Sequence, residues 1–219
     1  MDVRKLFDSV DALVLDLDGT LVGTEDEYVV SSMVETLEAC RYRKGTPELA
    51  RRIWFEHNRA EILEGLGIQP TTFWEAFTER DTAKTRREHI SPYADVVGFL
   101  DAVQEYKLGI VTGASQRNTD MEVSLLGRGR FDSVVCANMK CNGIQEKPHP
   151  EGVIRCLDEL GVEASRAVMV GNGSEDITAG SAAGTLTCYL DRGEHRNGVV
   201  KPTISIHSLD ELRPYGGGR

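Results

Sequence analysis

Short apolar runs punctuate the chain, and each ends at a polar or glycine-containing turn. Ala12-Leu13-Val14-Leu15, Leu108-Gly109-Ile110-Val111, Val134-Val135-Cys136-Ala137, Ala167-Val168-Met169-Val170 and Leu186-Thr187-Cys188-Tyr189-Leu190 are of this kind. A continuous apolar run without alternation suits a strand buried on both faces. Between the later runs the apolar residues return at helical spacing: Val96, Val97, Leu100 and Val103; Met121, Leu125 and Leu126; Val153, Ile154, Leu157 and Leu160; and Ile177 with the alanine-rich stretch to Ala183. Strands alternating with amphipathic helices predict βαβ units and an α/β fold, a doubly wound parallel sheet covered on both faces.

Residues 22–91 break the alternation. Val29, Met33, Leu37 and Cys40 mark one helix, Leu49, Ile53, Ala60 and Leu63 a second, and Phe73, Trp74 and Phe77 a third, with no strand pattern from Val22 to Ser91. A helical block this long, directly after the first strand, is not a simple crossover. It reads as a second small domain over the sheet, with Pro92 at the return. The expected division is therefore a core of residues 1–21 and 92–213, an inserted helical domain of residues 22–91, and a C-terminal tail at 214–219.

Charge and composition narrow the partners. The 219 residues carry 35 acidic against 25 basic side chains, a net charge of −10, and no Lys/Arg block. Such a field repels polyanions, so neither a nucleic acid nor an anionic membrane is an expected partner. No apolar run approaches the roughly 20 residues of a membrane span, and Met1–Lys5 leads into Asp8 without the apolar stretch of a signal peptide. The five cysteines, Cys40, Cys136, Cys141, Cys156 and Cys188, are an odd and scattered set without metal-knuckle spacing. They read as small buried thiols in a reducing compartment, and a cytoplasmic protein is expected. The pattern does not disclose an oligomeric state.

In open parallel sheets ligands bind beyond the carboxyl ends of the strands. Asp16-Leu17-Asp18-Gly19-Thr20 follows the first run, Thr112-Gly113 the second, and Gly171-Asn172-Gly173-Ser174-Glu175-Asp176 the fourth. Asp16 and Asp18, two apart in extended chain, point the same way and together make a strongly negative site. Such a site needs a cation. Mg²⁺, a hard ion that takes oxygen ligands, is the natural one, and Asp176 is a candidate third carboxylate. With the ion bound, one aspartate can attack a phosphoryl group while its neighbour moves a proton.

At this point the chain resembles the haloacid dehalogenase superfamily. Asp16-Leu17-Asp18-Gly19-Thr20-Leu21-Val22 is similar to its first motif, and the other three follow in order, in Val111-Thr112-Gly113-Ala114-Ser115, in Glu146-Lys147-Pro148-His149-Pro150 and in the Gly171 to Asp176 loop. The resemblance implies that Asp16 forms an aspartyl-phosphate and that Asp18 acts as general acid, then as general base. It implies that Thr112 and Gly113 bind phosphoryl oxygens and that Lys147 holds the charge developing in transfer. Metal ligands are expected among Asp16, Asp18, Asn172 and Asp176, with Glu175 a further candidate. The fourth motif departs from the family's Gly-Asp by having Gly171-Asn172, which puts the strength of metal binding in doubt.

An aspartate at position 18 points to the phosphatase and phosphomutase branches rather than to halide removal. The expected function is a Mg²⁺-dependent phosphatase acting on a small phosphorylated metabolite. A sugar phosphomutase using the same aspartates, or a phospho-ligand-binding protein without turnover, are the alternatives. The helical insertion resembles the family's mobile cap. Within it, Arg41, Tyr42, Arg43 and Lys44 are read as a basic cluster at a helix end. Trp54, Phe55, Phe73, Trp74 and Phe77 are read as cap core, and His57 and His89 as solvated. Arg117 is a candidate near the leaving group.

Overall fold

In the computed structural model, which describes residues 9–56, 58–194 and 201–214, all five apolar runs are strands. His57, the first eight residues, the tail beyond Pro214 and the side chain of Cys141 lie outside the described residues. The strands are β1 (Ala12–Leu15), β2 (Val22–Thr24), β3 (Ile90–Pro92), β4 (Lys107–Thr112), β5 (Ser133–Cys136), β6 (Ala167–Gly171), β7 (Leu186–Leu190) and β8 (Ile204–Ile206). The α-helices are α1 (Asp26–Ala39), α2 (Pro47–Phe55), α3 (Arg59–Gly65), α4 (Pro70–Arg80), α5 (Ala83–Arg86), α6 (Val96–Ala102), α7 (Gln116–Leu126), α8 (Met139–Asn142), α9 (Glu151–Leu160) and α10 (Ser174–Ala183).

Six strands form one sheet in the order β5-β4-β1-β6-β7-β8, and every neighbouring pair is parallel. Because β1 lies between β4 and β6, the carboxyl ends of three strands meet where the strand order turns. Alternate residues of β1 serve the two faces. Leu13 and Leu15 join a cluster with Phe99 and Leu100 of α6 and Val123 of α7. Ala12 and Val14 join one with Val153, Cys156, Leu157 and Leu160 of α9. The fold is thus the expected α/β architecture, a doubly wound parallel sheet.

The helical insertion has an apolar cluster of its own. Val29, Met33 and Leu37 of α1 meet Ala50 and Ile53 of α2, Leu63 of α3, and Phe73 and Phe77 of α4. Proline at the first position of α2 and α4 and the Thr46 hydroxyl accepting from Leu49 N (3.2 Å) fix where these helices begin.

Three details differ from the sequence expectation. The second helix of the insertion is two, α2 and α3. Glu56 ends the first by turning extended (φ −90°, ψ 141°), and Ile53 and Leu63 reach the same cluster from separate helices. The span 22–91 is not free of strand: β2 and most of β3 fall inside it and pair antiparallel, Val22 opposite Pro92 and Thr24 opposite Ile90. Finally, β8 adds a sixth strand at the sheet edge that no long apolar run announced. Among the described residues no helix is long and apolar enough to cross a membrane. Cys136, Cys156 and Cys188 are buried.

Candidate active site

The loop leaving β1 is a tight one. Leu17 O accepts from Leu21 N (2.9 Å) and Val22 N (3.1 Å), and Gly19 N donates to Val22 O (2.7 Å). Gly19 has φ +77°, and a Cβ there would lie 2.1 Å from Asn172 Nδ2, so both the turn and its neighbour require glycine. The loop brings Asp16 and Asp18 to one cavity, but with different partners.

Asp16 is 6% exposed at the end of β1. Its Oδ1 accepts from Lys147 Nζ (2.5 Å) and its Oδ2 from the Thr20 hydroxyl (3.0 Å). Lys147 also donates to Val111 O (3.0 Å) and to Asp176 Oδ1 (2.6 Å), so one ammonium ties the ends of β1 and β4 to the start of α10. Asp176 Oδ2 in turn accepts from Gly173 N (2.9 Å), closing the first turn of α10. Burial pushes the Asp16 carboxyl up against the pull of Lys147. Burial and then the Asp16 charge push Asp176 up to about 7. Burial works against the Lys147 ammonium, but Asp16 and Asp176 outweigh it and hold its pKa above the usual lysine value. Two carboxylates and one ammonium leave this buried group net negative, and a cation or a proton relieves it.

Asn172 bears on which cation fits. Thr20 Oγ1 lies 3.0 Å from Asp16 Oδ2 and 3.3 Å from Asn172 Oδ1, yet a hydroxyl has a single proton. Asn172 Nδ2 is buried without a partner. Turning the amide over resolves both: Nδ2 donates to Thr20, Thr20 donates to Asp16, and Oδ1 takes the place of the unpartnered nitrogen. The result is a buried oxygen acceptor against the Gly19 turn, in the loop that carries Asp16 and Asp18, and such an oxygen suits a hard cation. Asp176 has both oxygens engaged, as does Asp16, but it spends its second oxygen on Gly173 N in the first turn of its own helix. Among the described residues no three His, Cys, Asp or Glu side chains form a metal-holding group by themselves.

Asp18 is met by a residue that sequence reasoning missed. Arg86, from α5 in the helical insertion, is 3% exposed and donates Nη2 to Asp18 Oδ1. Its Nη1 reaches Asp81 (3.1 Å) and its Nε reaches Glu122 (2.5 Å) on α7. Asp81 is further served by the Tyr28 hydroxyl (2.8 Å) and Asn118 Nδ2 (3.0 Å). One guanidinium therefore faces three carboxylates, which keep its pKa raised despite the opposing effect of burial. Burial first, then the Asp18 charge, pushes Glu122 up to about 8. Glu122 Oε2 and Asn118 Oδ1 are buried without partners.

The other expected residues are placed as follows. Thr112 is 1% exposed at the end of β4 and lines the cavity with Gly113; its Oγ1 accepts from Ala114 N (3.1 Å). Glu175 lines the cavity and pairs with Arg59 of α3 (2.9 Å), joining insertion to core. Trp54, Phe55, Trp74 and Phe77 also line the cavity, whereas Phe73 lies wholly within the insertion's cluster. Arg41, Arg43, Lys44 and Arg117 are exposed, and they are not among the cavity's lining residues. His89 stacks on Tyr28 (4.6 Å) and pairs with Glu25 (2.8 Å) beside β3, and it is not among the cavity's lining residues. Behind the loop, Arg192 donates to Thr20 O (2.8 Å) and is held by Asp95 (3.0 Å), a brace that no sequence motif signalled.

The comparisons with known proteins agree with this architecture. A family model for haloacid dehalogenase-like hydrolases matches residues 13–190. Over 224 aligned residues the chain is 32% identical to the pyrophosphatase PpaX of Bacillus pumilus, covering 93% of this chain and 95% of that protein. CbbY from Rhodobacter sphaeroides, solved in complex with phosphate, matches with a TM-score of 0.68 at 21% identity, covering 93% of this chain and 96% of that one. A HAD-superfamily hydrolase from Geobacter sulfurreducens matches with a TM-score of 0.67 at 19% identity, covering 93% and 95%. At such identities the structural likeness is one of fold, whereas the family model and the Bacillus relative speak for descent. The chain belongs to the haloacid dehalogenase-like hydrolases.

Proposed function

We propose that this chain is a cytoplasmic, Mg²⁺-dependent phosphatase that hydrolyses a small phosphorylated metabolite through a phosphoryl group carried on Asp16. The observation that carries the reading is Asp16 itself, 6% exposed at the end of the central strand and fixed between Lys147 and Thr20 on a cavity wall. A carboxylate so held keeps one orientation toward an incoming phosphorus atom, and near-attack geometry is a large part of phosphoryl-transfer catalysis.

In the first step an Asp16 oxygen bonds to phosphorus as the bond to the leaving oxygen breaks, and Asp18 gives that oxygen its proton. In the second step water attacks the same phosphorus, Asp18 takes the water's proton, and inorganic phosphate leaves as the Asp16 carboxylate is restored. The Thr112 hydroxyl and Gly113 N–H take phosphoryl oxygens, and Lys147 balances the charge that builds on them. Asp16, Asp18 and Asn172 would hold the ion, with Asp176 positioning Lys147 instead of coordinating. When bound, Mg²⁺ adds positive charge where phosphoryl oxygens gather.

Residues 22–91 act in this reading as a cap that excludes water during transfer, with Arg59 and Glu175 as one point of closure. The Bacillus relative's name adds inorganic pyrophosphate to the substrates worth assaying; the same residues would cleave its P–O bond. The test is Mg²⁺-dependent phosphate release from p-nitrophenyl phosphate by the wild type and Asp16→Asn. A loss on the order of a thousandfold or more is expected of the variant. Equal release by both proteins would remove Asp16 from the chemistry.

A further inference from the structure

The cavity is larger than a phosphate requires, and part of its lining is aromatic. About 310 Å³ remains open with Arg59 of the insertion already paired to Glu175 of the core at 2.9 Å. That volume is at the lower end of the roughly 300–1,000 Å³ of sites that enclose whole organic ligands. Asp16, Asp18, Thr112 and Lys147 hold the floor. From the insertion, α2 and α4 bring Trp54, Phe55, Trp74 and Phe77 to the same cavity.

Three of these rings form a corner. Trp54 and Trp74 each stand 5.7 Å from Phe77, tilted at 53° and 82° to it, and the Arg59 guanidinium lies 5.6 Å from the Trp74 ring centre. Trp54 and Trp74 are only partly buried against the insertion's apolar cluster and both line the cavity; Trp74 is met by Phe73, Phe77 and the Arg59 guanidinium, Trp54 by Phe77. Aromatic surface lining a cavity gains when a ligand takes it from water, and a corner of tilted rings accepts a flat ring by stacking on one member and meeting another edge-on. Several polar groups nearby are already engaged: Arg59 by Glu175, Asn118 Nδ2 by Asp81, and Asn138 Nδ2 by Gly113 O (3.1 Å). A polyhydroxylated leaving group would find few free partners among them.

Resting on the phosphatase reading above, we propose that the leaving-group half of this cavity takes a planar aromatic body. The preferred substrate class is then a phosphate monoester carrying such a ring, and inorganic pyrophosphate or a short aliphatic phosphate fills the site poorly.

The test compares kcat/KM for 2-(2-naphthyl)ethyl phosphate, 2-cyclohexylethyl phosphate and propyl phosphate with the wild-type protein and Mg²⁺. The three leaving alcohols are similarly poor, so differences report on the wall and not on bond breaking. The naphthyl ester is expected to exceed the propyl ester roughly 30-fold, the size of two aromatic contacts, and to exceed the cyclohexyl ester several-fold. In Trp74→Ala, and in the milder Trp54→Phe, the naphthyl-to-propyl ratio is expected to shrink about fivefold or more. A ratio near one in the wild type overturns the proposal, as does faster cleavage of pyrophosphate or a hexose 6-phosphate than of the naphthyl ester. If Asp16→Asn is inactive while the ring makes no difference, only the substrate class falls; if Asp16→Asn turns over like the wild type, the phosphatase reading falls with it.

Discussion

Replacing Glu122 with Gln tests the charge account of the Arg86 cluster. Glu122 is 0% exposed, its Oε1 accepts from Arg86 Nε at 2.5 Å, and its Oε2 has no partner. Arg86 is shared with Asp18 and Asp81, so Glu122 is the carboxylate that gives way: burial and the Asp18 charge raise it from 4.5 to about 8. A raised carboxyl means that the folded chain holds a proton the unfolded chain releases. Its contribution to stability is complete below about pH 4.5 and is lost as the pH climbs to about 8. At about 1.4 kcal/mol per pH unit, that window of 3.5 pH units (8 − 4.5) corresponds to a loss on the order of 5 kcal/mol at most. Gln keeps an acceptor for Arg86 and puts a donor where Oε2 was, one turn from the unpartnered Asn118 Oδ1. Urea unfolding of both proteins in EDTA from pH 5 to pH 8 is the assay. The two are expected to match near pH 5, with Glu122→Gln more stable by several kcal/mol at pH 8, because every other titrating group is common to both. A stability difference that stays constant across this range would refute the reasoning.

Arg86→Met leaves Asp81 and Glu122 buried without their cation, and should cost about 3–5 kcal/mol at pH 8 in the same unfolding assay, less at pH 5, where Glu122 is neutral. If position 172 contributes to Mg²⁺ binding as proposed, Asn172→Asp adds a carboxylate there and is expected to lower the Mg²⁺ concentration for half-maximal phosphate release by on the order of tenfold. Phe73→Ala empties the centre of the insertion's apolar cluster and should lower unfolding free energy by about 3–5 kcal/mol, read from the urea midpoint.

The sheet and the floor of the site were legible because both are written locally. Leu13 to Leu15 is apolar without interruption since neighbours cover both faces, and Asp16, Thr112, Lys147 and Asn172 each sit in a short motif at a strand end or beside one. What stayed hidden depends on partners distant in sequence. β2 and β3 are three residues each, too short for a period to register, and are joined only by pairing across the whole insertion. Arg86 sits in Lys84-Thr85-Arg86-Arg87-Glu88, a stretch that reads as a solvated face. Its burial comes from Asp18 and Glu122, 68 and 36 positions away. The sequence pattern gives the aromatic residues as packing, and Phe73 lies wholly within the insertion's cluster. Trp54 and Trp74 pack against that cluster and also line the cavity, which a sequence pattern of apolar spacing does not distinguish.

The pairing of β2 with β3 makes the whole insertion, in topological terms, the overgrown loop of a hairpin. Thr24 and Ile90 face one another across that hairpin, so a turn of a few residues would close it and leave the parallel sheet untouched. Any segment whose two ends can meet that spacing can be hung there, which makes the position a natural socket for exchange. The exchange is not neutral for chemistry, since Arg86 belongs to the loop and would depart with it, leaving each replacement to bring its own counter-ion for Asp18.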